Sequence, residues 1–242
     1  INVNNNSFEY VEDEMELISD DLPEGLSVSL SVTGTEGNVL TGNLSGPYPV
    51  STYRITGNIT IENGDIVILE PGTQFLFDGG YSFTVFGVLS AIGTETDSII
   101  FDNYGMDNNW KGFSLEGVTN ETKFEYVRIS GGEKDYLDPA GGGGLRLYLS
   151  DPIFNHVTIS GNHAYGFSNM STGSGGGMYL FESNPILNYV IIHGNYAMVR
   201  GGGIGLYSSS PTLNHVTISE NNGVIGGGGI YITADSNPIL NH

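Results

Sequence analysis

The sequence predicts an all-β fold, a parallel β-helix, and three observations predict it. The first is a cycle of 26 residues: Gly175 to Arg200 reads GGGMYLFESNPILNYVIIHGNYAMVR, and Gly201 to Gly226 reads GGGIGLYSSSPTLNHVTISENNGVIG. An earlier copy opens at Gly142, and another at Gly227 runs to His242. A period in the range of 20–50 residues marks a stacked repeat architecture. The second is alternation. Leu145 and Leu147, Met178 and Leu180, Ile204 and Leu206, and Ile230 and Ile232 follow the Gly triplets at a spacing of two, and no helical period is sustained. The third is punctuation, since Gly triplets, Asp-Pro or Ser-Pro steps and Asn-Gly close each short apolar run as turns. Three short strands per cycle, returning to one register, make one coil.

Two segments are expected. Residues 1–42 form an acidic N-terminal cap or linker: 1–38 hold nine Asp or Glu and no Lys or Arg. A solenoid's first coil exposes strand edges and apolar core, which a polar segment must cover. Alternation through Leu26, Val28, Leu30 and Val32 places at least one strand there, and the acidic spacing does not match an EF-hand loop. Residues 43–242 form the β-helix, with the regular coils starting at 142. Its irregular part shows Ile59 and Ile61, the Asn63-Gly64 turn, and the pairs Phe75/Phe77, Phe83/Val85, Ile99/Phe101, Phe113/Leu115 and Val127/Ile129. About eight coils fit between Tyr53 and His242, a rod on the order of 40 Å at one strand spacing per coil.

Stacking the cycles aligns like residues in columns. The inward columns are Leu145/Met178/Ile204/Ile230, Phe154/Leu187/Leu213/Leu240, Val157/Val190/Val216 and Ile159/Ile192/Ile218. Two asparagine columns fall at corners: Asn155, Asn188, Asn214 and Asn241, then Asn162, Asn195 and Asn221. An Asn amide donates to one coil and accepts from the next, so these are read as structural ladders that satisfy turn backbone.

The run ITIENGDIVILEPGTQFLFDGGYSFTVFGVLSAIGTETDSIIFD, from Ile59 to Asp102, resembles the opening coils of secreted right-handed parallel β-helix proteins of Bacteroidetes-like bacteria. Trp110-Lys111-Gly112-Phe113, Phe124 to Ile129 and the SNPILNHVTIS-type repeats are similar to that family's later coils. The resemblance spans about residues 43–242. It implies a right-handed helix and a secreted or cell-surface setting. It implies no activity, because many such proteins have none assigned.

Composition narrows the partners. Seven Lys or Arg against 27 Asp or Glu give a net charge of −20, which disfavours nucleic acid and anionic membrane surfaces. Without Cys there is no disulfide framework, and no apolar run reaches the length of a membrane span. Beginning at Ile1 and stopping inside a coil, the chain reads as part of a longer protein with an open C-terminal end.

Chemistry is sparse. An inverting glycosidase needs two carboxylates about 6.5–9.5 Å apart, whereas Asp151, Glu182, Glu220 and Asp235 fall at separate turns. A polyuronate lyase needs Lys or Arg, and only Lys134, Arg146 and Arg200, far apart in sequence, lie near the regular coils. His156, Tyr189, His215 and His242 share an outward column in which Tyr189 interrupts any histidine ladder, so neither a metal nor any other cofactor is expected. A Thr column suited to an ice-binding face is broken at Ile191.

Recognition is placed on the outward positions of the first strand: Arg146, Tyr148, Tyr179, Phe181, Tyr207 and Tyr231. Grouped exposed aromatics mark interaction sites, and Arg146 offers a partner for a uronate or sulfate. The competing structural reading is that these rings only pair across strands. The sequence therefore reads as a non-catalytic extracellular structural or adhesive module of a bacterial surface protein, with polysaccharide or another surface protein as partner. The alternatives are a polysaccharide lyase or glycoside hydrolase, and a filament subunit that self-associates end to end.

Overall fold

The computed structural model describes residues 38–105, 109–135, 141–166, 174–233 and 235–242, together with the backbone of Met15–Leu17 and Val28–Leu30. The chain divides into Ile1–Asn38 and Val39–His242. In the first unit, Met15–Leu17 pairs antiparallel with Val28–Leu30, the strand expected from the alternation there. The acidic cluster expected to act as a cap otherwise lies outside the described residues.

The second unit is all-β, with no helix among the described residues. Its strands fall into columns of parallel neighbours. The first column runs through Phe83–Val85, Phe113–Glu116, Leu145–Tyr148, Met178–Phe181, Ile204–Tyr207 and Ile230–Thr233. The second runs from Gly46–Tyr48 and Ile66–Leu69 through Val88–Ile92, Lys123–Glu125, Ile153–Asn155, Ile186–Asn188 and Thr212–Asn214 to Ile239–Asn241. The third joins Gln74–Phe77, Ile99–Asn103, Val127–Ser130, Thr158–Ser160, Ile191–His193 and Thr217–Ser219.

The long strand Thr52–Ile61 links the first and third columns into one sheet. Tyr53 aligns with Phe75 in its first half, and Ile59 with Phe83 in its second. From Glu133–Lys134 onward a fourth, two-residue strand joins each cycle. The chain visits the columns in turn and returns one strand further along each time, an arrangement consistent with a β-helix or solenoid.

Alternation decides which face is inside. Phe75, Phe77, Phe83, Val85, Ile99, Phe101, Phe113 and Leu115 are all fully buried, as the period of two requires. Phe113 packs edge-on to Phe101 at 4.8 Å and to Phe124 at 5.5 Å between centroids, and Phe124 stacks on Phe154 at 5.0 Å. Trp110 stacks on Phe77 at 4.2 Å, and its Nε1 donates to the Ser130 carbonyl at 2.7 Å, so its polar edge is satisfied inside the core. Farther along, the core turns from aromatic to aliphatic: Leu145, Met178 and Ile204 align, and Leu187 and Leu213 continue the column that Phe154 opens. Leu240 continues that last column in register but is 63% exposed, since its strand pairs on one side only.

Candidate functional site

The residues singled out for recognition fall in two adjacent outward columns, and register fixes them. Arg146, Tyr179, Gly205 and Tyr231 are successive neighbours in one; Glu116, Tyr148, Phe181, Tyr207 and Thr233 are successive neighbours in the other. Parallel strands lie about 4.8 Å apart, so rings at equivalent positions meet face to face.

They do meet. Tyr148 stacks on Phe181 at 5.2 Å and Phe181 on Tyr207 at 5.1 Å, with interplanar angles of 17° and 6°. Both faces of Phe181 and one face each of Tyr148 and Tyr207 are therefore turned toward neighbouring rings. Tyr179 corrects the expectation more sharply: it is only 5% exposed. Its register neighbour Gly205 has no side chain, and a Cβ there would lie 3.3 Å from the Tyr179 ring, so the ring folds down over the bare glycine. Tyr179 presents no open face to a ligand.

Arg146 is committed within the protein. Its Nη1 donates to Ser114 Oγ at 3.0 Å and to Glu116 Oε1, its Cζ lies 5.3 Å from the Tyr148 ring centroid, and its Nε is buried without a partner. The guanidinium lies along the columns as a latch, with Glu116 already occupying the place expected for an acidic sugar. Tyr231 is held in a similar way: Arg200 Nη1 donates to its hydroxyl at 3.1 Å and the guanidinium sits over its ring at 4.9 Å.

The asparagine columns form hydrogen-bonded ladders. Asn241 Nδ2 donates to Asn214 Oδ1 at 2.8 Å, Asn214 Nδ2 to Asn188 Oδ1 at 2.7 Å, and Asn155 Nδ2 to Glu125 Oε1 at 3.0 Å. The second column is deeper, with Asn162 and Asn195 almost fully buried. Asn195 Nδ2 donates to Asn221 Oδ1 at 2.9 Å and to the Ile159 carbonyl at 3.0 Å. Gly132 N–H donates to Asn162 Oδ1 at 2.9 Å, so the ladder also holds the turn that opens the preceding fourth strand.

A third ladder was not foreseen. Val118, Ser150, Ser183 and Ser209 each donate their backbone N–H to the hydroxyl of Ser150, Ser183, Ser209 and Ser236 in turn, at 3.0–3.1 Å. The repeat spacing of these serines was visible, but serine at turns is too common to stand out.

The His156 column is a stack of alternating rings that gains Tyr126 at its start. Tyr126, His156, Tyr189 and His215 stack at 4.6, 4.9 and 4.9 Å. All four hold left-handed backbone, with φ between 48° and 53°. The acids Glu182, Glu220 and Asp235 also occupy left-handed turn positions, and Asp151 Oδ1 accepts the Asn184 N–H at 2.6 Å. Among the described residues, no three His, Asp or Glu side chains come together to hold a metal, and no helix is long and apolar enough to cross a membrane.

No family model matches this chain, and no solved structure matches it. Over 88 residues, 36% of this chain, it is 32% identical to Protein bark beetle of Drosophila melanogaster. The match covers 3% of that protein's length, so it shows similarity over one stretch and assigns no family.

Proposed function

We propose that residues 43–242 form a right-handed parallel β-helix of about eight coils, and that this helix is a non-catalytic structural or adhesive module working outside the cell. The observation that supports this is that its outward columns close on themselves. Rings stack on rings, amides bond to amides, serine hydroxyls accept from the preceding turn, and Arg146 is paired to Glu116 and Ser114. A catalytic centre needs side chains of different kinds converging on one reacting atom. Ladders place like beside like, an arrangement that stiffens a scaffold. The extracellular setting rests on the resemblance to secreted bacterial β-helix proteins and agrees with the net charge of −20.

The test pairs two measurements. Small-angle scattering of residues 43–242 should give a stiff rod on the order of 40 Å; a compact sphere would refute the coil stacking. Incubation with acidic and neutral polysaccharides should give no new chain ends. New ends would replace this reading with a lyase or hydrolase. Retention abolished in a Tyr148→Ala, Tyr207→Ala double variant would identify the aromatic column as a glycan site. Growth of scattering with protein concentration would identify an end-to-end filament.

A further inference from the structure

One feature of the outward face is left unpaired by the ladders. A shallow open groove of about 420 Å³ is lined by Glu62, Asn63, Phe86, Glu116 and Gly117. Its origin is the same column that carries Tyr148, Phe181 and Tyr207. Ile61, Val85 and Leu115 are register neighbours, so one position further along Glu62, Phe86 and Glu116 follow one another across three strands. Gly87 makes the turn possible: a Cβ there would lie 2.4 Å from the carbonyls of Glu62 and Asp65, so only glycine lets the chain press against the preceding turn and hold Phe86 outward. Phe86 is 43% exposed, and among the described residues no ring stacks on it.

The order carboxylate, ring, carboxylate is electrostatically incomplete. An aromatic face is negative, so carboxylates beside it repel it, whereas a cation between them is attracted to both. The protein supplies that cation one tier along. Arg146 pairs with Glu116 and lies over the Tyr148 ring of its own strand, so carboxylate, guanidinium and ring are layered in order. Arg54 repeats the device, paired with Asp78 and 4.6 Å from the Tyr104 centroid. At the Glu62–Phe86 tier the position matching Arg146 is Thr84, since Thr60, Thr84, Ser114 and Arg146 align. Threonine has no charge and is too short to cover the ring. Among the described residues, Glu62 has no ion-pair partner.

We propose that this groove binds a cationic side chain, the guanidinium or ammonium group of an Arg or Lys on a basic partner protein, layered between Glu62 and the face of Phe86. The net charge of −20 favours approach of such a partner, while the groove supplies a local contact that diffuse charge does not. The inference does not rest on the proposed scaffold role, and a groove that binds nothing leaves that role unchanged.

A fluorescein-labelled hexa-arginine peptide, followed by anisotropy at physiological salt, tests the proposal. Phe86→Leu keeps net charge and apolar bulk, so it should weaken binding about threefold only if the ring is used. Glu62→Gln should weaken it by a similar factor, and Asp151→Asn, the same charge change elsewhere, should not. Thr84→Arg should recreate the Arg146 arrangement, block the peptide and raise the melting temperature. Circular dichroism confirms that each variant is folded. Equal affinity in Phe86→Leu and the parent overturns the proposal. So does a neutral oligosaccharide that binds in a Phe86-dependent way while the peptide does not, which would make the groove a sugar site.

Discussion

The side-chain amide of Asn162 donates to Oδ1 of Asn195 at 3.0 Å, and the same oxygen accepts the backbone N–H of Asn162, also at 3.0 Å. One buried atom therefore satisfies both a side chain and the turn backbone of the neighbouring cycle. Asn195 in turn donates to the Ile159 carbonyl. Removing it strands the buried Asn162 N–H and takes a donor from the Ile159 carbonyl, while the Asn162 amide keeps the Ile129 and Ser160 carbonyls.

Asn195→Ala should accordingly destabilise the protein by about 3 kcal/mol or more, because each orphaned buried group carries its full desolvation penalty. Asn195→Asp keeps the acceptor but turns an anion toward the Ile159 carbonyl. At pH 7 it should be no better than Ala, and it should recover as the buried carboxyl protonates at lower pH. Denaturant midpoints at pH 7 and pH 4 read both effects. An Asp variant as stable as the parent at pH 7 would mean the ladder carries little energy.

The Gly triplets supply a second, sharper contrast. A Cβ on Gly176 would sit 2.4 Å from the Tyr196 carbonyl oxygen and 2.5 Å from that of Gly202, both backbone atoms that cannot swing away. Gly176→Ala should destabilise by about 3 kcal/mol, at the upper end for overpacking. Gly226 has nothing within 4 Å of the same position and no left-handed φ, so Gly226→Ala should be neutral or gain a few tenths to about 1 kcal/mol by restricting the unfolded chain. Paired thermal melts decide it. Similar losses in both would show that glycine acts through backbone freedom and not through close approach.

Much of this was legible from the period. Once Gly175 and Gly201 are aligned, every inward column and both asparagine columns follow, because parallel stacking offers each position one class of neighbour. What the period does not encode is how a side chain leans once its neighbour is fixed. Tyr179 alternates as an outward residue, yet the missing side chain at Gly205 lets its ring lie down and become buried. Arg146 looked available until Glu116, thirty positions earlier, proved to share its corner. Phe86 was passed over because it lies outside the regular cycle, where Glu62 and Glu116 align with it only through strand register.

Leu149 carries a backbone conformation its side chain does not favour, with φ of 50°, and it is 50% exposed. Left-handed backbone in an L-residue with a Cβ costs about 1–2 kcal/mol, least for Asn and Gly. Its N–H still donates to the Phe181 carbonyl at 3.1 Å, and that bond survives substitution. Leu149→Asn should therefore stabilise by about 1 kcal/mol. Chemical denaturation checks it, and a loss of stability would show that the exposed leucine contributes packing that outweighs the strain.

Tyr48 and Tyr53 give the parent protein a pH dependence with a clear sign. Burial holds both phenols above the ordinary value of 10.0, and for Tyr53 the neighbouring Tyr48 and Glu70 add to the effect. Their phenol is favoured over phenolate in the folded state, so the unfolded chain deprotonates first. The stability is present below about pH 10 and is lost as pH rises through the higher folded values. Tyr53 also donates its hydroxyl to the Pro49 carbonyl at 2.9 Å, so Tyr53→Phe should lower stability by about 1 kcal/mol at pH 8. Between pH 9.5 and 11.5 the same variant should decline less steeply than the parent, and the two curves should converge. Parallel curves across that range would show that Tyr53 does not couple folding to alkaline pH.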